Sequence, residues 1–563
     1  MKKNVLRMTA GLLALMLLAG CGKEGKTEDD NDRNEPGSDP VESNADYVKP
    51  DFDLDGKITL SWMMPTQNML SCAQTPVMEY VAEKFNVVLE MTEMAPADHD
   101  VQLELNISNG QIKNIVTRIE SGLANEYGSY GAFLDLRPYI ENGYMPNVKA
   151  MIDKALEENP NNASYIYDEE GHMFRIPNYD ENPMPNFNFS YNKSAFAAVG
   201  YEEPKTWDDV YNALVAIKAG RSDFYPFKMR SLGTNGLGTQ LTNFIISFTG
   251  GYANGQEFIG YDASSDEFVF GMDVPGYKEA IRFFNKMYNA GLIDPGYSTM
   301  SITAVFEAMK SGECVMTCDF MGGITGVAGY EDYTAAFVPM SLPQAEGQQQ
   351  IHGFRISQCD RVAGTAVNAE VSDNPVLLGR VLQILDYMYS PEFIQMQWFY
   401  PDITEGSYPE GESDPTKYIY EKNGDEYVYK ESVYSFANLS DTQNKYFNWG
   451  IYANFYNLND PVVNKNISPY DSYYAFRDQL IREQEKYVDI PAPIFKASEY
   501  KKVQGCETNL TVMYSAKIAD LLTGRFESDE AFETAWQSAL EAIKSQGGDT
   551  LVEQYNTAYQ RMK

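Results

Sequence analysis

The sequence is short of positive charge, of histidine and of long apolar runs, and each shortage closes off a class of function. Its 44 lysines and arginines stand against 80 aspartates and glutamates, a formal charge of −36. Such a chain repels polyphosphate backbones and anionic headgroups, so nucleic acid is excluded as a partner. It has 3 histidines, His99, His172 and His352, and 6 cysteines at irregular spacing. Neither a zinc-ligand pattern nor a disulfide framework can be built from them. Cys314 and Cys318 sit in an apolar stretch that reads as a strand, where four residues span about 13 Å. That is beyond the roughly 7 Å a bridged pair tolerates. No Gly-x-Ser-x-Gly elbow, phosphate loop or zinc signature occurs. Metal and cofactor are therefore both expected to be absent.

What is present begins at the N-terminus. Lys2, Lys3 and Arg7 form a basic start, Met8 to Leu18 is an apolar run too short for a stable span, and Leu18-Ala19-Gly20-Cys21 resembles a lipobox. The combination reads as an export signal over residues 1–21. In the lipoproteins it resembles, the Cys21 thiol is diacylated and Cys21 becomes the mature N-terminus. That implies palmitate-type lipidation and an extracytoplasmic protein anchored to the outer face of the cell membrane. No second apolar run of spanning length follows. Residues 22–56 are acidic and rich in Asn, Ser, Gly and Pro, and are expected to form a disordered tether, since they bury too little to offset their ordering entropy. Asp51, Asp53 and Asp55-Gly56 resemble the opening of a calcium loop. Trp62 stands where the bidentate carboxylate should be, so the residues leave calcium open.

From Lys57 onward the pattern alternates strand and helix. Ile58, Leu60 and Trp62 alternate with Thr59, Ser61 and Met63, Thr75-Pro76 supplies a helix start, and Val87 to Thr92 and Ile112 to Ile119 read as further strands. This predicts an α/β fold with a mainly parallel sheet. Thr206 with Asp209 resembles a capping box. Helices are expected after Pro275, after Asn374-Pro375, and through Phe532, Trp536, Leu540 and Ile543 to a break at Gly547-Gly548. Tyr400 to Tyr474 changes character, with a hairpin signal at Asn423-Gly424, and reads as a Tyr-rich insertion. The folded part is too long for one core, so two lobes are expected.

Tyr191-Asn192-Lys193, Pro204-Lys205-Thr206-Trp207-Asp208-Asp209, Ile293-Asp294-Pro295, Ser311-Gly312-Glu313 and Leu385-Asp386-Tyr387-Met388 together resemble the extracellular solute-binding proteins of ABC importers, in the oligosaccharide-binding branch. Tyr408 after Glu405-Gly406, and Leu521-Leu522-Thr523-Gly524-Arg525, fit its longer Gram-positive lipoprotein subgroup. The resemblance covers nearly all of Lys57 to Lys563. It implies a two-lobed periplasmic-binding-protein-like fold of type II with hinge crossings, solute in the cleft, and ABC permease subunits as membrane partners. On that frame the lobes are expected over residues 57–180 plus about 325–395, and 181–324 plus about 396–530, with C-terminal helices over 531–563. The crossover is expected between strands His172 to Pro177 and Asn186 to Tyr191, with a return after Phe320. His352 and Arg355 are expected on the returning segment.

Ligands in such sheets sit beyond the carboxyl ends of strands. Sugars present hydroxyl edges and flat C–H faces, so a sugar cleft needs aromatic platforms among polar side chains. Trp62 with Gln67 ends the first strand, Trp62 reading equally as platform or core. Arg118 and Glu120 end the strand that in the family reaches the ligand, and Tyr127 lies just beyond. Tyr179, Asp180 and Asn182 precede the expected crossover. Asp319 and Phe320 end an apolar strand, at a point where family members carry a Trp and this chain has Met321-Gly322-Gly323.

The expected function is a monomeric, non-catalytic receptor that captures an oligosaccharide and delivers it to an ABC importer. A glycoside hydrolase, which needs only two carboxylates at set separation, and a sugar-sensing or adhesion lipoprotein are the alternatives.

Overall fold

The strand expected at Ile58 is β1 (Ile58–Pro65), and it lies inside a six-stranded sheet. Its neighbours β2 (Val87–Met94) and β3 (Ile115–Thr117) run parallel to it. A parallel sheet is covered on both faces, and the alternation along β1 divides its side chains accordingly. Leu60, Trp62 and Met64 enter one apolar cluster, while Met63 joins Val116 of β3 in another. The computed structural model describes residues 47–65, 71–183, 185, 187–232, 238–253, 258–320, 337–394, 420–423, 426–429, 456–457 and 471–563.

Three helices flank this part of the sheet: α1 (Pro76–Lys84), α2 (Pro96–Ser108) and α3 (Ser121–Ser129). α1 starts at the Thr75-Pro76 signal, with the Thr75 hydroxyl accepting from the Met78 amide at 3.4 Å. The next strand, β4 (Ile176–Asp180), begins later than His172. The reason is a turn: the Asp168 carboxylate accepts from the amides of Glu170 and His172 at 2.9 and 2.8 Å and holds His172 out of the sheet.

β5 (Phe187–Asn192) opens a second, three-stranded sheet and a second core. α4 (Trp207–Lys218) carries the expected reciprocal cap between Thr206 and Asp209. Trp207 stacks on Phe244 of α5 (Gly238–Phe248) with centroids 4.4 Å apart and donates to Ser247 at 2.9 Å. The hairpin of β6 (Ile259–Asp262) and β7 (Glu267–Phe270) and helix α6 (Tyr277–Asn289) pack on the same cluster. β8 (Met316–Phe320) and β9 (Phe337–Pro339) flank β5, both antiparallel to it. Residues 337–345, expected in the first lobe, thus belong to the second, because β9 pairs with β5 and Met340, Leu342 and Ala345 bury their side chains there.

The chain returns through β10 (Gly353–Phe354) to β11 (Cys359–Val367), which fits antiparallel between β3 and β4. α7 (Pro375–Tyr387) follows, its N-terminus capped by Asn374. Within the Tyr-rich region β12 (Tyr420–Asn423) pairs antiparallel with β13 (Glu426–Tyr429), on either side of Gly424, and β14 (Tyr456–Asn457) adds to β4. β15 (Tyr487–Val488) pairs parallel with β10. The long α8 (Ala497–Thr523), α9 (Asp529–Lys544) and α10 (Gly548–Met562) complete the second core.

Each lobe therefore has its own sheet and core, and the chain passes between them at β4 to β5, at β9 to β11, and at β15 to α8. Crossings two and three are tied together by β10 and β15, and crossing one is tied to them where the Asp180 amide donates to the Gln358 carbonyl at 2.8 Å. Part of the expected tether is also structured. Tyr47 packs on Tyr139 and Phe52 on Tyr144, the Asp51 amide donates to Pro375, and the buried Arg380 guanidinium donates to the Asp53 carbonyl at 2.8 and 3.0 Å. Two aromatic rings give residues 47–56 the apolar surface that the preceding stretch lacks. The Asp51 and Asp53 carboxylates accept from the amides of Asp53 and Asp55. Among the described residues no group of three or more Cys, His, Asp and Glu is placed to hold a metal ion. Cys314, Cys318 and the other described cysteines are thiols.

Candidate functional site

β1, β2 and β3 are parallel, and β4 runs with them across the antiparallel β11, so their carboxyl ends share one edge of the first sheet. Glu120, Asp180 and the start of β11 meet at this edge.

The turn after β3 is built from an unusual backbone. Arg118 has φ of +66°, a conformation that costs a non-glycine residue about 1 to 3 kcal/mol. Its guanidinium donates to Asp100 at 2.5 Å, and the buried His99 beside it has its pKa lowered by burial, against the hydrogen bond it makes to Asp100. The next residue, Ile119, is pinned: its carbonyl accepts from Arg175 at 3.0 Å and its amide donates to Gly364 at 3.1 Å. Arg175 is 1% exposed and also donates to the carbonyls of Tyr165 and Asp360 at 3.1 and 2.5 Å. Burial lowers its pKa, and its two terminal nitrogens bind three carbonyls from three segments, which fixes the strand-end geometry. A β-carbon on Gly364 would collide with this guanidinium, which accounts for glycine at that point of β11.

Glu120 then stands at the head of α3, with its carboxylate 3.8 Å from Arg361 and its charge close to the Tyr500 phenol. Burial, then the Glu120 charge, raises the Tyr500 pKa. Tyr500 belongs to α8, so this cluster joins α3 of the first lobe to the second. A cavity of about 460 Å³ lies here, bounded by Glu120 and Ser121 of α3, Asn178 and Asp180 of β4, the segments 354–361 and 490–495, and Tyr500, Val503 and Glu507 of α8. Its volume is in the range of small-molecule sites. Asn182 lines a second cavity of about 360 Å³ beside it, with Glu158, Glu181 and Gln484.

The other expected residues lie elsewhere. Trp62 is 0% exposed, donates to the Thr117 hydroxyl at 2.9 Å and belongs to the first core, which removes it as a platform. The parity it shares with Leu60 decides the alternative the sequence left open. Tyr179, 1% exposed, is likewise in that core, its hydroxyl donating to Glu158 at 3.1 Å. Tyr127 packs with Val116, Phe133 and Phe174 on the far side of the sheet, and burial raises its pKa. Gln67, Cys21, Met321 and Tyr408 lie outside the described residues.

Asp319 and Phe320 form a separate group at the carboxyl end of β8. Arg230 pairs with both Asp319 oxygens at 2.8 Å, and the carboxylate also accepts from the Phe320 amide at 2.7 Å. Burial nevertheless raises the Asp319 pKa. Phe320 is 47% exposed, packs edge-on against Phe187 with centroids 4.9 Å apart, and has the Arg230 guanidinium 5.6 Å from its ring centre. A large apolar ring held half in solvent beside a fixed ion pair is a surface onto which a flat ligand face could stack. Arg230, Arg361, Tyr500 and Asn178 were not anticipated. Arg361 and Tyr500 are hundreds of residues from Glu120, and no local pattern announces such a pairing.

Residues 82–393 match the bacterial extracellular solute-binding protein family. The chain belongs to that family. Among curated proteins, this solute-binding protein is 25% identical over 313 residues to the fructooligosaccharide ABC transporter substrate-binding protein FusA of Streptococcus pneumoniae. That match takes in 52% of this chain, and the chain spans about half, 52%, of the relative's length. Among solved structures, FusA of S. pneumoniae with kestose superposes with a TM-score of 0.66 at 18% identity over 90% of this chain and 100% of that one. A human-milk-oligosaccharide (HMO) binding solute-binding protein of Bifidobacterium longum infantis gives 0.66 at 16% over 90% and 99%. The alginate-binding protein AlgQ2 gives 0.68 at 16% over 91% and 100%. At these identities the superpositions speak for the two-lobed fold. No helix among the described residues is long and apolar enough to cross a membrane.

Proposed function

We propose that this solute-binding protein is a receptor that captures an oligosaccharide outside the cell, without chemical conversion, and delivers it to the permease of an ABC importer. The observation that carries the reading is the cavity of about 460 Å³ where α3, β4, the crossing segments and α8 meet. It combines acceptor-bearing side chains with apolar and aromatic wall residues such as Phe268, Phe354 and Tyr500, the mixture that a sugar's edges and faces require. Phe320, with Arg230 and Asp319 beside it, is a second, separate surface on which a sugar face can stack. Glu120, Asp180 and Asn182 serve as polar contacts. The relatives named for fructooligosaccharide, milk-oligosaccharide and alginate binding support a carbohydrate as solute. Anchoring through a lipid on Cys21 is part of the proposal, supported by the lipobox.

A panel of oligosaccharides read by thermal shift tests the solute class. A true ligand at a hundred times its Kd stabilises by about 2.7 kcal/mol, a rise in melting temperature of several degrees. No shift with any glycan, alongside a shift with peptides, would overturn the reading. Incubation with each bound sugar should leave it intact, and hydrolysis abolished by a single carboxylate change would make the protein an enzyme.

A further inference from the structure

We infer that the cavity at the lobe junction selects a neutral, hydroxyl-rich ligand against its carboxylated counterpart. The inference rests on the carbohydrate reading above and adds the charge class of the sugar.

Four carboxylates line the cavity, those of Glu120, Asp180, Asp360 and Glu507, against the two guanidiniums of Arg355 and Arg361. Both guanidiniums already face protein acceptors. Arg355 donates to Asp489 at 2.5 Å, to the Gln484 side chain at 2.7 Å and to its carbonyl at 3.2 Å. Arg361 faces the Glu120 carboxylate at 3.8 Å. A uronate entering here would add a like charge among carboxylates, with no lysine or further arginine among the described lining residues to meet it. Repulsion of this kind strengthens as water is displaced, and it discriminates between ligands that are otherwise isosteric.

Asn178 supplies an independent observation. It sits in β4, is 7% exposed, lines the cavity, and its Oδ1 has no hydrogen-bond partner in the structure. A buried acceptor left without a partner destabilises the protein, and a ligand that brings a donor relieves it. A sugar hydroxyl donates; an ionised carboxylate only accepts. The carboxylates around it ask for the same thing. The cavity is thus rich in acceptors, and a polyol with many O–H groups complements it.

The test is calorimetric titration at pH 7 with neutral trisaccharides (kestose, maltotriose and xylotriose) and with trigalacturonate and trimannuronate. At least one neutral sugar is expected to bind tenfold or more tighter than either uronate. Asn178→Ala should weaken that sugar about tenfold while the melting temperature holds or rises, and Asn178→Ser serves if the alanine variant does not fold. Glu120→Gln should narrow the gap between neutral and acidic sugars at least threefold. Tighter binding of a uronate overturns the charge assignment and leaves the carbohydrate reading standing. So does binding of a neutral sugar that is indifferent to changes at both Asn178 and Glu120. Binding by none of the five sugars, where the glycan panel is also silent, overturns the carbohydrate reading itself.

Discussion

The ring of Tyr500 lies against Gly122 where a β-carbon would otherwise stand. Gly122 is in the first turn of α3 and Tyr500 in the first turn of α8, so the two lobes touch here through a missing side chain. The same phenol and Glu120 both line the cavity wall. Glycine at position 122 therefore sets how near α8 can come to the strand-end site.

Gly122→Ala should push the Tyr500 ring away and lower stability by about 1 to 3 kcal/mol, as overpacking does. It should also weaken ligand binding, because the displaced ring is itself part of the cavity wall. Replacing Tyr500 with Leu in the same chain removes the bulk that the methyl meets, so the double variant should lose less stability than the sum of the two single changes. Thermal melts of the four proteins decide this, and strict additivity would show that the contact is unimportant.

Trp62→Ala should behave as a core truncation, losing about 3 to 5 kcal/mol of stability. The Thr117 hydroxyl, buried and bonded also to Thr365 at 3.1 Å, loses a donor as well. A variant that melts normally yet loses sugar affinity would put the indole in the cleft instead.

For Phe320→Ala the order reverses. The ring is half exposed, so stability should change little, whereas a stacked sugar would lose about 0.5 to 1.5 kcal/mol of affinity beyond the area removed. Titration of the variant with the best glycan of the panel checks this. Unchanged affinity would confine Phe320 to a packing role against Phe187 and Arg230.

Acid should destabilise the protein partly through two buried histidines. Burial lowers the pKa of His99 and of His352, outweighing the neighbouring Asp100 and Glu483. The unfolded chain, with histidine near 6.5, then takes up protons before the folded one does. Stability is thus held above the unfolded value and lost as pH falls through it toward the lower folded values. Melting temperatures measured between pH 8 and 5 should drop less steeply in His352→Gln than in the parent. An identical slope would remove His352 from the account.

Much of this architecture was readable because its signals are local. Thr75-Pro76, the Thr206 and Asp209 pair and Asn374-Pro375 each place a helix start within a few residues, and each helix begins there. The alternation of Ile58, Leu60 and Trp62 gave the strand, and its parity also held the answer for Trp62. What could not be read was pairing across long separations. Glu120 and Asp180 were found by the rule of strand ends, but the groups that complete their cavity, Arg361 and Tyr500, come from a crossing strand and from the other lobe. The tether was misjudged at its end because Tyr47 and Phe52 look isolated in an acidic stretch until the surface that receives them is known. The late start of the strand after His172 has a different origin, a local turn in which the Asp168 carboxylate accepts from the Glu170 and His172 amides.

The pairing of β10 with β15 has a mechanical side. Two crossing segments bonded at Gly353 to Tyr487 and at Phe354 to Val488, with the His352 and Arg355 amides donating to Lys486 and Val488, form a short ribbon, not two independent strings. A ribbon bonded along its length resists shear between its members but flexes readily across its plane. Any change in the angle between the lobes must then pivot about this strip like a gate on its post, and the flanks of the two lobes farthest from it sweep the widest arc.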